Sequence, residues 1–291
     1  MKVHRRLVLA TVLTLVPGTF AAPPAHAAKR GANGQFAYVT GFGQSQILRK
    51  DNDGGGADTP VSDPTGFYDP SWSPDGREIA ARESGVGIVI IDSTGGQPVT
   101  FDADPGDIGP SWSPDGRFIA FRKGATGDLV VVPVDHGSGS IVVVHDGYGP
   151  DWSSDGRQLA YTDSVGTLFT VDVFPSLGTP VPQTSPKAVL VTGVREISWS
   201  PDRTRIVYTR APTGGLQYVT LGNLAPTDIV GTADATEPAW SLDGRTIAFG
   251  KLATTGGIFT TPIHNGTVTT VSSTGYEPDW GPFRYPRRKR L

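Results

Sequence analysis

Ser71-Trp72-Ser73-Pro74-Asp75-Gly76-Arg77 decides the fold, because close copies begin at Ser111, Asp151, Ser198 and Ala239, and a shortened one, Asp279-Trp280-Gly281-Pro282, lies near the C-terminus. All six tryptophans, Trp72, Trp112, Trp152, Trp199, Trp240 and Trp280, sit in these copies, and their separations are 40, 40, 47, 41 and 40 residues. A period near 40 marks stacked supersecondary units, each burying a face that it could not bury alone.

Between the motifs the apolar runs are short and are broken by Gly, Pro and Asp. After Trp72 come Glu78–Ala81, Gly87–Asp92 and Gln97–Phe101, and the run into Trp112 follows. The spacing predicts four short strands per unit, with the tryptophan strand as the fourth, and no helix: a four-stranded antiparallel blade. The first unit, starting at Phe36, has no tryptophan strand before it, and the last motif, at Trp280, has no strands after it. An open row would leave an unpaired edge at each end. The sequence therefore predicts an all-β, six-bladed propeller over residues 28–283, with the Trp280 strand completing the blade begun at Phe36. The longest interval contains the Pro-rich stretch Phe174–Pro186, expected to be a surface loop between two strands.

Ser73-Pro74-Asp75-Gly76 has the residue preferences of a type I turn and is read as a turn linking blades. Asp75, Asp115, Asp155, Asp202 and Asp243 persist in every full copy, as a turn aspartate that bonds nearby amides would. Five equivalent positions around a ring cannot converge on one reacting centre. The tryptophans are expected to lie where one blade faces the next.

Residues 1–27 have a basic start (Lys2, Arg5, Arg6), the apolar run Leu7–Val16 and a small-x-small end at Ala25-His26-Ala27. This is the pattern of a secretory leader cleaved after Ala27, and no other apolar run is long enough for a membrane helix. The expected location is secreted or periplasmic. There is no cysteine, which excludes disulfides, thiolate metal sites and a cysteine nucleophile. The net charge is −3; without the leader's three positive charges it is −6, and the basic tail 284–291 holds five positive charges over a body of −11. An acidic body argues against nucleic acid as a partner. The tail is read as a solvated segment.

The Trp-Ser-Pro-Asp-Gly-Arg-x-Ile-Ala-Phe pattern at this spacing resembles the TolB-type, WD-like propeller repeat, and the resemblance covers about Gly34 to Trp280. Propellers with this repeat serve as binding scaffolds and also occur beside or within enzymes; with TolB-like interaction as the nearest model, the expectation is a monomeric binding scaffold for an envelope or extracellular protein or peptide, not an enzyme, and with no cofactor unless calcium. It also implies that the motif strand is innermost, so that residues just before each tryptophan surround one mouth of the central channel. Three residues before the tryptophans stand Asp69, Gly109, Gly149, Glu196, Glu237 and Glu277; one position earlier stand Tyr68, Ile108, Tyr148, Arg195, Thr236 and Tyr276. The candidate rim is Tyr68, Asp69, Tyr148, Arg195, Glu196, Glu237, Tyr276 and Glu277. Its acids and tyrosines suit a cationic or hydroxyl-rich ligand, a basic peptide segment or a calcium ion.

The competing expectation is a propeller lyase or lactonase using carboxylates at the channel mouth. It finds little support in residue types: no Gly-x-Ser-x-Gly elbow occurs, and beyond the leader the only histidines are His136, His145 and His264, two in one unit and one in another. Asn265-Gly266-Thr267 fits a glycosylation acceptor, but Asn-Gly is first a hairpin turn.

Overall fold

The computed structural model describes residues 33–41, 44–51, 56–135, 139–173, 186–189, 192–251, 256–264 and 266–282. The leader, the tail, most of the Pro-rich stretch, His136 and Asn265 lie outside the described residues. No helix among the described residues is long and apolar enough to cross a membrane.

The described residues form 24 strands. They are β1 (Gln35–Thr40), β2 (Gln46–Asp51) and β3 (Asp58–Pro60); β4 (Phe67–Trp72), β5 (Glu78–Glu83), β6 (Gly87–Asp92) and β7 (Val99–Asp102); β8 (Ile108–Trp112), β9 (Phe118–Arg122), β10 (Leu129–Pro133) and β11 (Ile141–Val144); β12 (Tyr148–Trp152), β13 (Gln158–Thr162), β14 (Leu168–Asp172) and β15 (Lys187–Ala188); β16 (Val194–Trp199), β17 (Arg205–Arg210), β18 (Leu216–Thr220) and β19 (Pro226–Asp228); and β20 (Ala235–Trp240), β21 (Thr246–Lys251), β22 (Ile258–Pro262), β23 (Thr269–Ser272) and β24 (Tyr276–Gly281). They make six four-stranded antiparallel sheets, and the ring closes as expected: β24 pairs with β1, followed by β2 and β3. We number this blade 1 and the others 2 to 6 in chain order. Phe36 stands opposite Trp280 in the closing pair, with ring centroids 3.9 Å apart.

The blade frame differs from the sequence reading in one respect. The tryptophan strand is the first and innermost strand of its own blade, not the fourth of the preceding unit. The motif turn therefore joins the first two strands of one blade instead of linking blades. Its chemistry is as read. The Asp75 carboxylate accepts the Ser73 hydroxyl at 2.9 Å and the Arg77 N–H at 3.1 Å, and the Ser73 hydroxyl oxygen accepts the Glu78 N–H. Asp115, Asp155, Asp202 and Asp243 repeat the arrangement. The turns do touch between blades: Pro74 lies against Gly116 and Pro114 against Gly156, so a Cβ on either glycine would come within 3.2 Å of a proline ring. Both glycines have positive φ, 73° and 70°, so the position requires glycine on two grounds. Where Arg203 replaces that glycine, the backbone keeps φ 64°.

Each tryptophan is 1–4% exposed and belongs to a core shared by two blades. Trp152 packs with Phe118, Leu129 and Val131 of blade 3 as well as Leu159, Tyr161 and Val171 of its own blade. Trp72, Trp112, Trp199, Trp240 and Trp280 do the same at the other five interfaces. The backbone reinforces this packing, because the residue before one tryptophan bonds the N–H of the next. Asp279 reaches Trp72 at 2.8 Å, Ser71 reaches Trp112 at 3.1 Å, Asp151 reaches Trp199 at 2.6 Å and Ser198 reaches Trp240 at 3.1 Å. Burying an indole of roughly 150–250 Å² contributes on the order of 4–6 kcal/mol before entropy. Trp152→Ala, which also removes the indole N–H bond to the Ser111 carbonyl at 3.1 Å, is expected to lower the unfolding free energy by about 3–5 kcal/mol. Urea denaturation measures it, and an unchanged midpoint would defeat the packing role.

Candidate functional site

The inner strands begin at one mouth of the channel and end at the motif turns. Near the start of each, the residue three before the tryptophan is in the left-handed region: φ is 52° at Asp69, 62° at Gly109, 53° at Gly149, 29° at Glu196, 53° at Glu237 and 53° at Glu277. At each of these places the inner strand slips its register against the second strand, the mark of a β-bulge. Left-handed backbone is disfavoured for residues with a Cβ, by roughly 1–2 kcal/mol. Four acidic residues accept it here, so neighbouring contacts must hold it in place.

Those contacts run between blades. The Glu277 carboxylate accepts the Asp69 N–H at 2.7 Å, and the Asp69 carboxylate accepts the Gly109 N–H at 3.2 Å. The Glu237 carboxylate accepts the Glu277 N–H at 2.7 Å. The Glu196 carboxylate bonds the Glu237 N–H and the Thr209 hydroxyl, and the Glu237 N–H also reaches the Thr209 oxygen at 3.1 Å. Four acids thus form a chain around the mouth, each joined to the next blade's bulge.

The rim residues read from the sequence divide into this chain and its surroundings. Asp69, Glu196, Glu237 and Glu277 are brought together. Tyr68 stacks under the Arg82 guanidinium, 5.6 Å from the ring centroid. Tyr148 carries Arg122 at 4.2 Å and accepts a hydrogen bond from it at 3.1 Å. Tyr276 donates to the Gly41 carbonyl at 2.9 Å, and Arg195 lies exposed beside Glu196. Arg82, Arg122 and Thr209 were missed by the sequence reading. All three stand ten residues after a tryptophan, and that position pairs with the rim residue four before it. The signal was a second register position of the same repeat.

Electrostatically the mouth is crowded. Burial raises the Glu237 carboxyl from its ordinary 4.5 to about 7, and the charges of Glu196 and Asp69 add to the shift against the Glu277 N–H bond. Burial also pushes Glu277 well up, with Asp69 and Glu237 repelling its charge. Asp69 and Glu196 are raised, in each case chiefly by burial. By area Glu196 is exposed and the other three half-exposed. Among the described residues no three His, Asp or Glu side chains are placed to hold a metal ion. His145 is 87% exposed and bonds Asp128 at 2.6 Å, between residues outside the rim, and His264 is exposed in the turn after β22.

Solved structures share this architecture. TolB from Acinetobacter baumannii superposes with a TM-score of 0.69 at 17% identity, over 85% of this chain and 66% of that one. The chain is a TolB-like propeller in fold. It spans about two thirds of that TolB's length. A chain of a nidogen/laminin complex aligns with a TM-score of 0.67 at 12% identity, over 86% of this chain and 98% of that one. A Mycobacterium tuberculosis puromycin-hydrolyzing peptidase aligns with a TM-score of 0.54 at 16% identity, over 84% and 44%. No protein-family model and no curated protein matches the sequence. At these identities the likeness establishes the fold alone, and that fold occurs in binding proteins and in an enzyme.

Because the folded pKa of Glu237 lies above its unfolded value, the native state keeps an extra proton on it between about pH 4.5 and 7. Its stabilising contribution is full below about 4.5 and is lost as pH rises through about 7, and the other three carboxyls are raised in the same direction. The melting temperature is expected to fall from pH 5 to pH 8, and Glu237→Gln, which keeps an acceptor oxygen without the charge, is expected to flatten that fall. Equal pH slopes for the two proteins would refute the shift.

Proposed function

We propose that this propeller is an exported, monomeric binding scaffold whose acidic channel mouth receives a cationic segment of an envelope or extracellular protein. The observation that carries the proposal is the chain of four carboxylates at one mouth. Each spends one face on a bulge N–H, and a Lys or Arg side chain would displace the proton that burial and neighbouring charge keep on Glu237 up to about pH 7. Tyr68, Tyr148 and Tyr276 give such a segment apolar and hydroxyl surface beside the acids. The TolB and nidogen/laminin likenesses support a protein partner as the class to search for. The leader pattern at residues 1–27 supports export. No cofactor is required by this reading, and calcium, as the simplest cation that the mouth could attract, serves as its inorganic competitor.

No feature of the mouth favours a lyase or lactonase. Its acids are tied to backbone amides, and both described histidines lie away from it.

Two experiments test the proposal. Immobilised protein is expected to capture one specific partner from an envelope or secreted fraction, and Glu196→Gln, Glu237→Gln and Glu277→Gln together are expected to weaken that capture at least tenfold while leaving the fold intact. Undiminished capture would remove the mouth from consideration. N-terminal sequencing of the exported protein is expected to begin at Ala28; a start at Met1 would refute the leader.

A further inference from the structure

The carboxylate chain at the mouth is open. From Glu196 through Glu237, Glu277 and Asp69, each acid meets the bulge N–H of the next blade, and the series ends where Asp69 meets Gly109. Gly109 and Gly149 have no side chain with which to continue it. The N–H groups of Gly149 and Glu196 therefore face no acid from the preceding blade, although both residues keep the left-handed backbone, at 53° and 29°, and the register slip of the other blades. The gap has room. A Cβ on Gly149 would have no atom within 4 Å, and one on Gly109 would make only ordinary contacts, 3.8 Å to Pro150 and 3.9 Å to Gly149. Tyr148, with Arg122 stacked on it, stands next to the gap in blade 4.

The occupant of such a gap must accept hydrogen bonds from backbone N–H groups. A carboxylate would do so, but it would stand between Asp69 of blade 2 and Glu196 of blade 5 and add negative charge to a mouth whose carboxyls already crowd one another. A carboxamide accepts through its oxygen, can donate through its NH2 to a neighbouring carboxylate oxygen, and brings no charge. We propose that the gap at Gly109 and Gly149 is a subsite for a neutral carboxamide, the side chain of an Asn or Gln in the segment that enters the mouth. This deepens the reading of the mouth as a peptide-binding site and rests on it.

Amide NMR of the full chain tests it, with acetamide and acetate as separate probes. Acetamide is expected to shift the Gly149 and Glu196 amides saturably and to leave the Asp69, Gly109 and Glu277 amides, already bonded to acids, in place. Gly149→Asn puts a carboxamide beside the Glu196 amide from the chain itself, at a left-handed position that Asn tolerates, and is expected to reduce the response of that amide at least fivefold. Larger shifts of the same two amides with acetate would overturn the choice of a carboxamide. Equal shifts at all these amides, or none, would overturn the subsite. The probes need no protein partner, so a failed capture experiment and a failed titration are separate results.

Discussion

A blade of four short strands has two apolar faces and no core of its own, and the indole wedged between neighbouring blades is the contact on which the ring depends. Each of the six shared cores is built around one tryptophan, and in four of them the residue just before an indole, Ser71, Asp151, Ser198 or Asp279, ties its inner strand to the next through a backbone N–H. Ring closure follows from the same need. Without β24 beside β1, Phe36 and Tyr38 would have no Trp280 to pack against, and the interface between blades 6 and 1 would be lost. With no cysteine in the chain, this packing has no covalent support.

The two ends of the inner strands are built on opposite principles. At the turn end the copies agree, and proline against glycine repeats from blade to blade, leaving among Trp72, Trp112, Leu242, Trp280 and the turn prolines a recess of about 10 Å³, room for a single water. At the mouth the backbone agrees but the side chains do not. Every blade carries the left-handed bulge, yet four blades place an acid on it and two a glycine. The repeat thus supplies the same left-handed bulge in every blade, and side-chain choice decides which of its N–H groups meet an acid of the neighbouring blade. The same choice sets the charge: acids occupy blades 5, 6, 1 and 2, and the glycines fall together in blades 3 and 4.

The period of the tryptophans was enough to read the blade count, the closure and the turn role of Asp75 and its equivalents, because packing and turn chemistry repeat with the chain. The frame of the blade was misread. A period alone does not say whether the tryptophan strand ends one unit or begins the next, and only the pairing of β4 with β5 decides it. The rim acids were legible as a set, but their bonds to neighbouring blades were not, since Asp69 and Glu277 do not announce a left-handed backbone. Gly109 and Gly149 at the same position were the available sign, glycine being the residue that adopts positive φ without strain. Arg82 and Arg122 lie ten residues beyond the tryptophan, on the second strand, and only the pairing of that strand with the first brings them to the rim.

The charge state of the mouth gives the most direct test of its assignment as a receptor for a cationic segment. Side-chain carboxyl resonances of Glu237 and Glu277, titrated by carbon NMR with and without the captured partner, report it. Free protein is expected to show Glu237 titrating near 7 and Glu277 above the usual carboxylate range, and binding of a cationic segment is expected to move both down toward 4.5 as Lys or Arg replaces the retained protons. Values that stay where they are when the partner is bound would contradict the assignment.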